Sequence, residues 1–149
     1  MVSSLERLLA IEDIKRLRYR FCHVLDARDW SGVESLMTEG VTFRFTDESG
    51  AGLLGQDGPI RLESRQATVG FMKQFVGPSA SVHIGGMAEI DVHSAVSAHG
   101  RWAMQGFTEG GGALGLAVGM GLEVIEEDYV QVDGRWLISS IDARIKAVK

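Results

Sequence analysis

The sequence predicts an α+β domain in which three N-terminal helices pack on a curved antiparallel sheet. Two observations carry this. Apolar residues recur at three- and four-residue spacing in the first half of the chain, whereas the second half reads as long strand segments separated by turn residues. The length of 149 residues fits one domain, 1–149, able to bury about two-thirds of the surface its unfolded chain exposes.

Ser4 is placed to cap a first helix running to Asp26, with Leu5, Leu8, Ile14, Leu17, Phe21 and Val24 as its apolar stripe. Asp29 caps a short second helix bearing Trp30, Val33, Leu36 and Met37, which Gly40 stops. Residues 41–45 alternate as a strand, and the glycine-rich stretch 50–59 reads as a loop. A third helix over 64–76 turns Val69, Met72, Phe75 and Val76 inward before Gly77-Pro78 ends it. Strands follow at 81–92, 95–107, 116–132 and 135–145, the last two joined by a two-residue turn at Asp133-Gly134. Glycines in 110–112 and 115–121 suit bends and bulges, and strong curvature leaves a pocket between sheet and helices.

Composition excludes several function classes. The net charge of −5 is spread without long runs, so the clustered Lys and Arg of a nucleic-acid-binding surface are missing and no such partner is expected. Lys15, Arg16, Arg18 and Arg20 read as a solvated helix face, and Glu123, Glu126, Glu127 and Asp128 as a solvated sheet face. Cys22 stands alone, which permits no intrachain disulfide. The start lacks a signal peptide's apolar core and no apolar run approaches the roughly 20 residues of a membrane span, so a cytoplasmic protein without a membrane partner is expected. The glycines near 110–121 lack the ending of a phosphate loop. No Cys or carboxylate cluster accompanies a histidine at ligand spacing, so neither a metal nor another cofactor is expected.

Strand alternation puts Val82, Ile84, Ala88, Ile90 and Val92 on one face and His83, Gly85 and Met87 on the other, where small neighbours leave room for a ligand. A histidine there reads as a half-buried residue bonded to the sheet or as an acid–base group. Asp26 sits almost opposite Leu17 on a helix turning about 100° per residue, a position that amphipathicity alone gives to solvent. Yet Tyr19, Cys22 and Asp26 share a semi-polar stripe that a helix wedged between layers can bury, which makes Tyr19 either a proton donor or an interface aromatic. Trp102 and Met104 share a strand face and, with Phe75 and Met87, are candidates to line an apolar substrate pocket. Trp136, Ile138, Ser140, Asp142 and Arg144 share another face, where Arg144 either binds a polar substrate group or pairs with Asp142 on the rim.

The run Leu25-Asp26-Ala27-Arg28-Asp29-Trp30, the strand Val82-His83-Ile84-Gly85, Gly100-Arg101-Trp102-Ala103-Met104 and Asp133-Gly134-Arg135-Trp136 together resemble the SnoaL-like branch of the NTF2-like superfamily. That branch includes dehydratases, polyketide cyclases, isomerases and dehydrochlorinases. The resemblance spans nearly the whole chain and implies a cone-shaped α+β fold. By similarity to the scytalone dehydratase type, it implies that Asp26 and His83 pair as a general base needing no cofactor. Phe21 stands where many members carry a tyrosine, and no histidine follows in the Trp102 strand, so Tyr19 becomes the candidate donor. The implied activity is a dehydratase-like lyase acting on a small aromatic or cyclic molecule. The alternatives are an isomerase or cyclase using the same pocket, or a non-catalytic module that binds a small apolar molecule. The resemblance also implies a homodimer or homotrimer.

Overall fold

The computed structural model describes residues 1–50, 57–109 and 118–148, so most of the loop and glycine bends expected at 50–59 and 110–117 lie outside the described residues. Helix α1 (Ser4–Asp26) is capped by Ser3 rather than Ser4. The Ser3 hydroxyl accepts from the Glu6 N–H at 3.2 Å and the Glu6 carboxylate accepts from the Ser3 N–H at 2.8 Å, a reciprocal capping box. Its buried stripe begins at Ala10 and continues through Ile14, Leu17, Phe21 and Val24. Leu5 and Leu8 are exposed.

Helix α2 (Trp30–Ser35) ends earlier than its apolar spacing suggests. The Leu36 carbonyl accepts from the Ile138 N–H at 2.9 Å, so sheet pairing claims the chain and Met37 opens β1 (Met37–Asp47), with Gly40 inside the strand. A short β2 (Ile60–Leu62) pairs antiparallel with β1 through Phe43 to Leu62 and Phe45 to Ile60. Three residues are too few for alternation to reveal, and the sequence reading missed this strand. Helix α3 (Arg65–Val76) is capped by the Ser64 hydroxyl, which accepts from the Ala67 N–H at 3.1 Å.

Strands β3 (Ser81–Ser94), β4 (Ser97–Glu109), β5 (Val118–Val132) and β6 (Arg135–Val148) form an antiparallel meander. Asp133 and Gly134 take φ of 50° and 77°, the two left-handed positions that a type I′ hairpin requires. The sheet order is β2-β1-β6-β5-β4-β3. Because β1 runs parallel to β6, with Phe43 beside Ile141 and Phe45 beside Ala143, the sheet is mixed rather than wholly antiparallel. No tight turn joins these two strands, so nothing local fixes their relative direction.

Two bulges decide which side chains face the helices. On β3, Met87 and Ala88 together oppose Trp102, between the Gly86–Ala103 and Glu89–Arg101 pairs, and Met87 takes φ of 52°. His83 and Gly85 before the bulge therefore share the inner face with Ala88, Ile90 and Val92 after it, while Met87 turns outward at 85% exposure. On β6, Ser139 is the extra residue between the Tyr129–Ile138 and Asp128–Ser140 pairs. Trp136 and Ile138 thus join Ile141, Ala143 and Ile145 in the core, and Asp142 and Arg144 leave the face that plain alternation gave them.

The core also holds charge. Arg18 and Glu127 meet at 2.9 Å with side chains 4% and 0% exposed, which corrects the solvated reading of both. The contact is close but poorly aligned, leaving Arg18 Nε and Nη1 and Glu127 Oε1 without a well-directed hydrogen bond. The Tyr129 hydroxyl donates to Glu127 at 2.6 Å and accepts from Trp102 Nε1–H at 2.9 Å. The Arg18 guanidinium also stacks 4.8 Å above the Phe21 ring. Burial works against its charge most strongly, but facing Glu127 it keeps its proton even more firmly than an ordinary arginine.

Breaking a buried pair by removing one partner typically costs about 3–5 kcal/mol, whereas replacing both with apolar residues is close to neutral. Glu127→Leu is expected to lower the unfolding free energy measured in urea by about 3–5 kcal/mol, and Arg18→Met in the same chain to recover most of it. A loss below about 1 kcal/mol in the single variant contradicts this account.

Candidate functional site

Asp26 is the last residue of α1, and the turn after it is made by Arg28 in the left-handed region at φ 58°. The Arg28 guanidinium fixes what surrounds that turn. Its Nε–H donates to the Gly77 carbonyl at 2.9 Å, Nη1 donates to the Leu25 carbonyl at 2.9 Å and to the Ser81 hydroxyl at 2.8 Å, and Nη2 donates to the Ser79 carbonyl. One side chain thereby ties the end of α1, the exit of α3 and the start of β3 together.

The result is that β3 is delivered to Asp26. The Ser81 hydroxyl donates to Oδ1 at 2.9 Å, the His83 backbone N–H to Oδ2 at 2.8 Å, and His83 Nδ1 lies 2.6 Å from Oδ1. The Asp26 side chain is 20% exposed and that of His83 19%, so the carboxylate is held between α1 and β3 rather than in open solvent. Burial is the strongest single influence on the Asp26 carboxyl and raises its pKa. Hydrogen bonds from the His83 side chain and backbone, the His83 charge and the Ser81 hydroxyl together outweigh it, and the carboxyl titrates below its ordinary 3.8. An ionised carboxylate only accepts, which assigns the neutral imidazole's proton to Nδ1 and leaves Nε2 as the acceptor.

The His83 ring lies over Gly106 of β4, where a Cβ would come within 3.2 Å of Cδ2 and 3.3 Å of Nε2. Glycine at that position makes room for the ring. His83 borders a cavity of about 70 Å³ whose other walls include Arg18, Phe21, Cys22, Phe43, Phe45, Phe71, Phe75, Met104 and Glu123. Phe43, Phe45, Phe71 and Phe75 interlock with ring centroids 5.2–6.0 Å apart. That volume holds a few water molecules, so a ring-sized ligand requires these side chains to move apart. Burial raises the Cys22 thiol, which keeps it protonated and apolar.

The sequence candidates separate cleanly. His83, Phe75 and Met104 line the cavity, and Asp26 reaches it through its contact with His83. Trp102 is buried but committed to Tyr129, and Tyr19 packs edge-on against Trp102 at 5.8 Å while remaining 42% exposed; neither lines the cavity. Met87 faces outward because of the β3 bulge. Arg144 pairs with Asp142 at 3.2 Å on the outer face and touches no wall of the cavity. Sequence reasoning missed Arg28 and Ser81, which no spacing signals, and also Phe43, Phe45 and Phe71, whose alternate and three-or-four-residue spacings offered a signal. A wider groove of about 430 Å³ near the start of α1, lined partly by Leu9, His93 and Trp136, shares no residue with this cavity. Among the described residues no group of three His, Cys, Asp or Glu could hold a metal ion.

Residues 6–142 match the SnoaL-like domain. The fold superposes on a protein from Novosphingobium aromaticivorans DSM 12444 with a provisional scytalone dehydratase name, at TM-score 0.78 and 15% identity, covering 99% of this chain and 91% of that one. It superposes equally on the hexachlorocyclohexane dehydrochlorinase LinA-type3 from Novosphingobium barchaimii LL02, at TM-score 0.78 and 17% identity over 99% and 93% of the two chains. A Mycobacterium tuberculosis protein of unknown function follows at TM-score 0.75 and 20% identity, over 97% and 77%. At such identities the likeness is one of fold, but the domain match takes in nearly the whole sequence: the chain belongs to the SnoaL-like domain family of the NTF2-like superfamily.

Proposed function

We propose that the protein is a cofactor-independent lyase of dehydratase type, in which His83 removes a proton beside a carbonyl or similar activating group of a small aromatic or cyclic molecule. The observation that carries this reading is the 2.6 Å contact between Asp26 and His83 Nδ1 on a ring that borders an aromatic-lined cavity. Asp26 holds the tautomer in which Nε2 is the base and stabilises the imidazolium that forms. The electron pair released from carbon forms a double bond and expels hydroxide. Phe43, Phe45, Phe71, Phe75 and Met104 suit an apolar ring. The dehydratase and dehydrochlorinase names of two structural neighbours denote eliminations, which supports the reading by analogy of fold.

An isomerase or cyclase would use the same base, and product analysis separates them. Among the described residues no helix is long and apolar enough to cross a membrane, which accords with a cytoplasmic enzyme acting on a diffusible substrate. Val82, Ile84 and Phe107 are exposed on the outer side of β3 and β4, a surface suited to a second or third copy of the chain.

The test is a panel of cyclic and aromatic ketones bearing a β-hydroxyl, followed by the absorbance of the conjugated product. His83→Ala is expected to lower kcat on the order of 10²-fold or more on any compound turned over. Asp26→Asn should impair the same step with the fold retained, and the double variant should lose little beyond the worse single one. Near-full turnover by both single variants with unchanged melting contradicts the reading, and binding without conversion across the panel favours a non-catalytic module.

The Asp26 carboxyl also makes stability depend on pH. Because its folded value is lowered from 3.8, its contribution is complete above the unfolded value and is lost as pH falls through the folded one. Urea unfolding of wild type and Asp26→Asn should therefore differ by a constant amount near neutrality and converge below about pH 4. A difference that widens in acid is the contrary result.

A further inference from the structure

The elimination proposed above needs an acid for the departing hydroxyl, and the His83 imidazolium gains its proton only as the C–H bond breaks. Asp26 is ionised and bonded to His83, Tyr19 lies outside the cavity, and Cys22 is a buried thiol. Glu123 remains. Strand register sets it in the row next to that of His83: Gly85 pairs with Met104, Met104 with Glu123, while His83 pairs with Gly106 and Gly106 with Gly121. Between the imidazole and the carboxyl the sheet carries Gly106 and Gly121 in one row and Met104 in the next. His83 covers Gly106, and among the described residues nothing comes within 4 Å of where a Cβ on Gly121 would stand.

Glu123 lines the cavity together with His83 and Arg18, and among the described residues it makes no hydrogen bond or ion pair. Burial raises its carboxyl most strongly, and the His83 and Arg18 charges lower it only in part, so it keeps its proton to higher pH than a surface glutamate. Among the described residues the groups that act on its charge are Arg18 on α1, itself paired with Glu127 of β5, and His83 on β3, and it acts in turn on the Cys22 thiol of α1.

We infer that Glu123 is the general acid of this site and that the substrate's leaving group is a hydroxyl, a poor leaving group that must be protonated as it departs. This assignment rests on the elimination reading. His83 Nε2 takes the proton from carbon and the C–H electron pair becomes the double bond. The C–O bond breaks with its pair, and the Glu123 proton completes a water molecule. The site is left as imidazolium and carboxylate, with Arg18 beside the new negative charge, and it resets when the proton passes from Nε2 to Glu123 through the product water. The substrate class is a cyclic β-hydroxy carbonyl compound.

The experiment compares a β-hydroxy ketone turned over by the wild type with its β-chloro counterpart, which departs as chloride without protonation. Glu123→Gln is expected to lower kcat on the order of 10²-fold for the hydroxyl compound and less than about 5-fold for the chloride, whereas His83→Ala loses both. Glu123→Asp, which keeps the proton, should recover part of the hydroxyl turnover and guards against loss of fold, checked by urea unfolding. Equal losses of Glu123→Gln on both compounds, no loss on either, or wild-type turnover of the chloride alone overturns the assignment while leaving His83 as the base. Full activity of His83→Ala overturns the base and this assignment with it.

Discussion

The carboxylate of Asp26 gathers the Ser81 hydroxyl, the His83 N–H and the His83 imidazole at 2.9, 2.8 and 2.6 Å, and the arrangement of the site depends on that convergence. It joins the last residue of the first helix to the first turns of side chains on β3, two elements separated by the rest of the helical half of the chain. Arg28 makes the meeting possible by turning the backbone left-handed and bonding carbonyls at the ends of α1 and α3. The same interaction that closes the helices onto the sheet edge therefore orients the imidazole. The fold and the proposed chemistry share one set of hydrogen bonds, so a single change at Asp26 is expected to act on both.

The interior is apolar around a small number of placed charges. Phe43 and Phe45 from β1 and Phe71 and Phe75 from α3 supply the aromatic part of the wall, while Arg18, Glu123 and Glu127 enter the interior from α1 and β5. A charge taken from water must find a partner or change protonation. Arg18 and Glu127 take the first course with Tyr129 and Trp102 attached, although burial still raises the Glu127 carboxyl, and Glu123, which has no hydrogen-bond partner among the described residues, is also raised by burial. Glu127 of the ion pair and Glu123 therefore stand on one face of β5, four residues apart.

The elements that the sequence made legible are those with long, unbroken periodicity. The 23 residues of α1, the third helix, the four long strands and the Asp133-Gly134 turn are all present near their expected places. Face assignments survived only as far as the first bulge. An inserted residue at Met87–Ala88 and another at Ser139 reverse the alternation, which is why Met87 and Arg144 are outside although the spacing put them with pocket residues. In the acidic stretch at 123–128 charge suggested solvent, which holds for Glu126 and Asp128, while period two on β5 turns Glu123 and Glu127 to the side of Ile125 and Tyr129. The juxtaposition of Asp26 with His83 came from resemblance, since helical position alone gave Asp26 to water and the arginine that prevents this carries no local signature.

The central claim is that Asp26 fixes the imidazole with its proton on Nδ1 and Nε2 free to act as a base. Nitrogen-15 chemical shifts of His83, recorded at a pH where the ring is neutral, test it without any substrate. The account predicts a protonated Nδ1 and a bare Nε2 in the wild type, with the other tautomer gaining population in Asp26→Asn. A wild-type ring protonated at Nε2, or a tautomer unchanged by Asp26→Asn, would contradict it.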